Sequence, residues 1–254
     1  MKLKLYLGMR LVLIPFYLLY KIYVMIVFVV TLVALYPFFF IVLSFPKLRV
    51  FSFQLNIFWC YLFRTLAFVF LKFTKKAKIP KGPYIICSNH ASYFDIFIMY
   101  SVIPNHKFLF LGKSEILNYP LMRTYFKKLN IPVYRSDRIK AAKSFVQAKR
   151  EVEKGWSLMI FPEGTIPDEN LPHMIPFKDG AFQLAKHCNV PIIPITFQNN
   201  HKLFTEPSQW KESARPGIAY VQIHEYISVE TISELTVKEL SQKVFDCIAS
   251  GLPK

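Results

Sequence analysis

The stretch YIICSNHASYFDIFIMY, Tyr84–Tyr100, sets Asn89, His90 and Asp95 in otherwise apolar text. A carboxylate that holds one nitrogen of an imidazole fixes its tautomer and leaves the other nitrogen free to take a proton, for example from an alcohol. Positions five apart do not share a face of one continuous helix. The pairing therefore requires His90 in a loop and Asp95 in the helical turn that follows. The spacing of Ser92 and Asp95 also fits a capping box, which accounts for those two residues and leaves Asn89-His90 unexplained. On these residues alone, a general base and a satisfied structural histidine both stand.

Three further stretches carry chemistry-bearing side chains. In LMIFPEGTIP, Leu158–Pro167, an acid, a glycine and a hydroxyl follow an apolar run. Glu163 and Thr165 could meet a ligand there, with Gly164 allowing close backbone approach; an ordinary Pro/Gly turn with an exposed acid fits equally. In NIPVYRSDR, Asn130–Arg138, the basic residues fit an ordinary solvated loop, but Arg135 directly follows a short apolar run, where a guanidinium could grip a phosphate through two parallel bonds. Lys113 in FLGKSEI is a second candidate cation from a neighbouring loop. The run VPIIPI, Val190–Ile195, has two prolines, which suggests an edge or irregular strand.

The elements that must position these residues can be read from periodicity. Strands are expected at 84–87, 108–111, 131–134, 157–161, 192–197 and 219–223, and helices at 138–154, 178–187 and 236–250. The helix that begins at Arg138 stops at Gly155, as a helix end should. Alternation of this kind implies an α/β fold, a mixed, largely parallel sheet with flanking helices. Sites in such folds gather at the carboxyl ends of the strands, where His90, Lys113, Arg135 and Glu163 all fall.

The first eighty residues differ. Lys2, Lys4, Arg10 and Lys21 precede an uncharged run, Ile22–Pro46, which as a helix would extend roughly 37 Å, enough to cross about 30 Å of hydrocarbon. It is too long for a cleaved signal peptide and lacks a small-residue cleavage site. Pro37 should kink or break it, and Lys47 and Arg49 make both flanks basic, so a spanning helix and a re-entrant hairpin both remain open. Phe51–Phe73 carries Arg64 near its middle and reads as an interfacial helix. Lys72, Lys75, Lys76, Lys78 and Lys81 follow, suited to anionic headgroups. The expected organisation is an N-terminal hydrophobic helical membrane anchor with interfacial helices over residues 1–80 and a catalytic domain over 81–254.

Composition agrees. The chain has 254 residues, 53% of them hydrophobic, with 25 Phe and 14 Tyr, and 32 basic against 16 acidic residues give a formal charge of +16. Mean hydropathy is +0.30. These values favour an anionic membrane surface or phosphorylated substrates as neighbours. Nucleic acid is disfavoured, since the lysines cluster near the anchor and neither zinc spacing nor an RNP-like aromatic motif is present. No GxSxG elbow supports a hydrolase, and no HExxH arrangement supports a metalloenzyme. Cys60, Cys87, Cys188 and Cys247 lie far apart and read as reduced thiols.

Taken together, NHASYFD, PVYRSDR, FPEGT and VPIIPI resemble, in order and approximate spacing, the four blocks of the glycerolipid acyltransferase family, typified by 1-acyl-sn-glycerol-3-phosphate acyltransferase. The resemblance covers about Tyr84–Thr196. It implies transfer of a fatty acyl group from acyl-CoA or acyl-carrier protein to the free hydroxyl of a lysophospholipid, yielding phosphatidic acid in phospholipid biosynthesis, with no metal or other cofactor. It further implies His90 as base and Asp95 as its orienting acid. Glu163, Gly164 and Thr165 would contact the acceptor, with Arg135 and Lys113 on its phosphate. The expected location is the cytoplasmic membrane, with the catalytic domain on its cytoplasmic face among membrane phospholipids. One departure stands out: the third block often continues FPEGTRS, whereas Ile166-Pro167 follow here, so one cation is missing. A lyso-aminolipid or another lyso-lipid acceptor is the alternative, and a non-catalytic membrane scaffold is the competing class.

Overall fold

The computed structural model describes residues 2–253 except 168–170, 207, 208 and 210; the side chains of residues 2–11 and of Pro120 lie outside the description. Two helices, α1 (Lys2–Ser44) and α2 (Arg49–Leu66), precede a seven-stranded sheet of β1 (Val69–Lys76), β2 (Ile85–Ser88), β3 (Phe108–Lys113), β4 (Ile131–Val133), β5 (Ser157–Ile160), β6 (Ile192–Phe197) and β7 (Gly217–Ile223). The remaining helices are α3 (Phe94–Val102), α4 (Pro120–Leu129), α5 (Arg138–Glu153), α6 (Gly180–Cys188), α7 (Asn200–Leu203), α8 (Val229–Glu234) and α9 (Val237–Ala249). The strand order is β1-β7-β6-β2-β5-β3-β4. Neighbours run parallel except β6 and β7, which are antiparallel with Ile195 opposite Ile223. The expected mixed, largely parallel α/β sheet is therefore present, and each of the six expected strands has its counterpart.

The direction of travel across the sheet sorts the helices. From β2 the chain moves one way to β3 and β4; from β4 it returns to β5 and β6. Right-handed crossovers then place α3 and α4 on one face and α5 and α6 on the other. The packing agrees: α1 and α2 lie against each other and against α4 and α3 respectively, whereas α5, α8 and α9 pack on α6. The core on both faces consists of full-length apolar strands. All four residues of β2 are buried between β5 and β6.

Three local expectations are corrected. The helix expected over Phe51–Phe73 ends at Leu66; Phe68 takes a left-handed conformation (φ 53°), and Val69–Lys76 forms the edge strand β1, parallel to β7. Its alternation of buried and exposed positions has the period of a strand, not of a helix. The sheet thus begins ahead of residue 81. The prolines of VPIIPI do not mark an edge, because β6 is an interior strand. Pro191 and Pro194 sit where only a carbonyl is required: Pro191 accepts from the Ile85 amide (2.9 Å) and Pro194 from that of His224 (3.1 Å). Pro37 does not interrupt α1. Leu35 and Phe39 on either side are buried, and the Phe39 ring meets Trp59 and Tyr125 edge-on, which holds the helix across the missing bond.

Candidate active site

His90 lies in the loop after β2, and Asp95 lies in the first turn of α3. Their side chains meet: His90 Nδ1 is 3.0 Å from Asp95 Oδ2. That same oxygen accepts the backbone amides of Ala91 (2.8 Å) and Ser92 (2.9 Å), while Oδ1 accepts the Asn200 amide at 2.6 Å. Four donors converge on one carboxylate with no exposed surface, an arrangement suited to an acceptor-only group. Nδ1 therefore carries the proton, and Nε2 is left as the basic nitrogen. The ring lies flat on Phe161, with centroids 3.9 Å apart and planes 12° apart. Half of the capping box is also present, in the bond from Ser92 N to Asp95. The Ser92 hydroxyl instead accepts from Phe94 N (3.0 Å) and donates to the Phe204 carbonyl at 2.5 Å. Capping and dyad coexist in one turn.

The loop is pinned from two more directions. Asn89 exchanges a pair of hydrogen bonds with the Phe197 backbone at the end of β6 (2.9 and 2.8 Å). Glu163, expected to meet the acceptor, is only 1% exposed. Its two carboxylate oxygens accept the backbone amides of His90 (2.8 Å) and Ile175 (3.0 Å). The carboxylate faces inward because two buried N–H groups need acceptors there. Burial pushes its carboxyl up to about 7, the two N–H donors oppose that rise, and the Asp95 charge adds to it. Glu163 is thus a strut under the His90 loop in this structure.

Beside the dyad lies a cluster of cations. Gly164 has φ +79°, and Arg135 Nη2 and Lys178 Nζ lie 3.1 and 3.2 Å from where a Cβ on it would sit. Lys113 Nζ donates to the Thr165 hydroxyl at 2.9 Å. Arg135, Lys113 and Lys178 are all exposed. Partial burial lowers the Lys178 ammonium, as do the charges of Arg135 and Lys113. Three cations gathered this closely form a site for an anion.

The structure brings together His90 and Asp95, and groups Arg135, Lys113, Gly164 and Thr165 beside them. It withdraws Glu163 from the surface. Two participants were not visible in the sequence. Lys178 reads there as the start of a helix, and Asn200 is 105 positions from the carboxylate it holds, with no local pattern to announce it. Among the described residues, Lys178 supplies a third cation where the FPEGTRS pattern would have had one.

The family model described as Acyltransferase matches residues 70–198, just over half of the chain. The 1-acyl-sn-glycerol-3-phosphate acyltransferase of Saccharomyces cerevisiae is 31% identical over 185 residues, covering 72% of this chain and 59% of the yeast protein. A putative 1-acyl-sn-glycerol-3-phosphate acyltransferase of Caenorhabditis elegans, acl-2, is 27% identical, covering 67% of this chain and 60% of the worm protein. The chain therefore spans less than two thirds of the length of these relatives. The crystal structure of the 1-acyl-sn-glycerophosphate acyltransferase of Thermotoga maritima shares the fold, with a TM-score of 0.75 over 92% of this chain and 93% of that one at 22% identity. The mixed, largely parallel sheet that carries the histidine–aspartate pair and the cation cluster at its strand ends thus has the fold of that acyltransferase. The chain belongs to the acyltransferase family.

Proposed function

We propose that this protein transfers a fatty acyl group from a thioester donor, acyl-CoA or acyl-carrier protein, to the free hydroxyl of 1-acyl-glycerol-3-phosphate, giving phosphatidic acid. The observation that carries this reading is the buried Asp95 holding His90 Nδ1 at 3.0 Å beside three clustered cations. His90 Nε2 takes the proton of the acceptor hydroxyl as its oxygen attacks the thioester carbonyl. Asp95 stabilises the imidazolium so formed. The C–S bond then breaks, and the imidazolium returns the proton to the departing thiolate. Arg135, Lys113 and Lys178 hold the acceptor's phosphate, and Gly164 keeps the approach between them open. This chemistry requires neither metal nor a further cofactor. A lyso-lipid with another phosphate-bearing headgroup would meet the same cations, so acceptor choice is settled by assay.

The test is acyl transfer by detergent-purified protein from palmitoyl-CoA to lysophosphatidic acid. Loss of a general base should lower turnover of His90→Ala by roughly 10² to 10⁴. Equal turnover in wild type and variant removes His90 as the base. A wild type that acylates other lyso-lipids but not this one keeps the mechanism and changes the acceptor.

For the membrane we infer a monotopic seat on the cytoplasmic face, where thioester donors are found. The segment Val12–Ser44 is long and apolar enough to span. Yet Lys21, 4% exposed, donates to Thr205 Oγ1 (2.8 Å) and the Gln209 carbonyl (2.7 Å). Phe39, eighteen residues further on, packs on Tyr125 of α4. Those contacts lie roughly 27 Å apart along the helix, close to the full hydrocarbon thickness of about 30 Å. An upright α1 would therefore drag α4, Thr205 and Gln209 into lipid. Lying along the surface, it turns Phe16, Leu19, Val30, Val33 and Phe38, all exposed, toward the acyl chains. Labels placed before Val12 and after Ser44 should then be protected or exposed together; opposite sidedness refutes the seat.

A further inference from the structure

Helix α5 has an outward face that nothing in the fold covers. Ile139 is 71% exposed and Val146 48%. With Ala142 they form a stripe at helical spacing, lining a shallow groove bordered by Arg138, Lys143 and Arg150. No acid lines this groove. Of the nearby carboxylates, Asp137 caps the helix and pairs with Lys140 (3.1 Å), buried Glu151 pairs with Arg49 (2.6 Å) and Lys154 (3.0 Å), and exposed Glu153 lies at the far end of the helix, beyond the groove lining. An apolar stripe bordered mainly by cations fits a partner of opposite pattern, apolar at its centre and acidic around it.

Position decides which partner. The lipid-seeking surface belongs to α1 and α2, on the α3/α4 face of the sheet, whereas α5 packs with α6 on the opposite face. One flat bilayer cannot cover both. The amino end of α5 begins three residues after Arg135, so the groove leads from the cation cluster outward. We propose that the exposed face of α5 docks a small acidic carrier protein that bears the acyl chain as a pantetheine thioester. Ile139, Ala142 and Val146 take its apolar contacts, and Arg138, Lys143 and Arg150 take its carboxylates. This rests on the acyl-transfer reading above. The donor's C–S bond breaks, the acceptor's C–O bond forms, and the proton from the acceptor hydroxyl leaves on the carrier's thiol.

The experiment compares wild type with the double variant Lys143→Glu/Arg150→Glu, and separately Val146→Ser, on palmitoyl-carrier protein and palmitoyl-CoA with lysophosphatidic acid as acceptor. These side chains are exposed, and unchanged melting confirms intact variants. The charge reversal should raise KM for the carrier protein about tenfold or more, leave kcat/KM for palmitoyl-CoA within about twofold, and mimic the effect of raised salt on wild type. Equal effects on both donors, or none on either, overturn the proposal. So does loss of binding to phosphatidylglycerol vesicles with carrier kinetics unchanged, which would make α5 a lipid-facing helix. Carrier binding measured directly by fluorescence anisotropy separates the two levels. Charge-dependent binding without turnover of either donor supports the surface and sinks the acyl-transfer reading. Turnover of palmitoyl-CoA without charge-dependent carrier binding does the reverse.

Discussion

Replacing Glu163 with Gln separates a buried strut from a substrate ligand. In the structure the carboxylate is 1% exposed and accepts two backbone amides, and burial raises it from 4.5 to about 7. An acid raised on folding binds its proton more tightly in the native state. Between pH 4.5 and about 7 the unfolded chain therefore holds fewer protons, and stability falls as pH rises through that window. At about 1.4 kcal/mol for each pH unit, the whole rise is worth about 3 kcal/mol. Gln has nearly the shape of the protonated acid and no charge. Because Gln cannot accept both amides, Glu163→Gln should be less stable than wild type near pH 4.5 and gain up to about 3 kcal/mol relative to it by pH 8. Activity should move the other way. With one acceptor oxygen in place of two, Gln leaves either the His90 or the Ile175 amide facing an NH₂ group, and the His90 loop shifts. A displaced catalytic group commonly costs on the order of 10²-fold in kcat, whereas KM for the acceptor should hold. The assay is thermal melting across pH 4.5–8 alongside steady-state kinetics at pH 8. A rise in acceptor KM with kcat intact would show that Glu163 reaches the substrate, and the strut would be refuted. A stability difference between variant and wild type that stays constant across pH 4.5–8 would show that Glu163 does not titrate in that window and would refute the pH reasoning.

Other perturbations follow from the same geometry. Asn200→Ala removes the one partner that Asp95 Oδ1 has among the described residues; a hydrogen bond to a charged group is worth about 1.5–3 kcal/mol, so melting should fall and kcat decline with acceptor KM unchanged, as unfolding and kinetics would show. Lys178→Ala should raise KM for lysophosphatidic acid about tenfold and leave an uncharged monoacylglycerol unaffected; equal effects on both acceptors would remove Lys178 from the phosphate site. Gly164→Ala forces a Cβ against Arg135 and Lys178 at φ +79°, a backbone cost of roughly 1–2 kcal/mol, and should lower melting by a few degrees while weakening acceptor binding. Burial and the Lys75 charge lower His224 from 6.5 to about 4. Its Nε2 donates to Thr196, whose hydroxyl donates to the Ile248 carbonyl, and its Nδ1 accepts from the Gln222 amide (3.3 Å); with the neutral ring favoured in the fold, stability is complete above about pH 6.5 and is lost as pH falls toward 4. This slope opposes that of Glu163, so each is read as a difference from its own variant; His224→Gln should flatten the acid limb, and an unchanged limb would exclude it.

Much of this was legible before the fold was known, for a physical reason. His90 and Asp95 are near in sequence, and a strand followed by a helical turn leaves few ways to place them apart. Arg135, Lys113 and Gly164 were legible because residues just past parallel strands share one edge of the sheet. The illegible parts depend on long-range packing. A helix was read through Phe73 because apolar content hid the two-residue period of Val69–Lys76, and only pairing with β7 makes that segment a strand. Glu163 was read as exposed because a turn acid normally is; its inward aim depends on the Ile175 amide twelve residues on. Asn200 and Lys178 carry no local signal at all.

The supports of the dyad show why its parts are so dispersed. Asp95 is held by Asn200, Ser92 is held by the Phe204 carbonyl, and Thr205 receives Lys21. Residues 200–205 therefore touch the Asp95 carboxylate at one end and the apolar helix α1 at the other. A carboxylate that must stay oriented while its histidine becomes charged gains most from donors that cannot rotate away. Here those donors are backbone amides in a turn and an amide side chain on a short buried helix. The lysine that anchors the far end of that segment lies within the otherwise apolar run of α1, where its charge is satisfied by a hydroxyl and two carbonyls. A buried ammonium without such partners would be costly. That cost forces α1 to dock where it does, and docking α1 there fixes the segment that holds Asp95. The docking of α1 and the orientation of Asp95 are thus consequences of one set of contacts, and that is why a charge persists in an otherwise apolar helix.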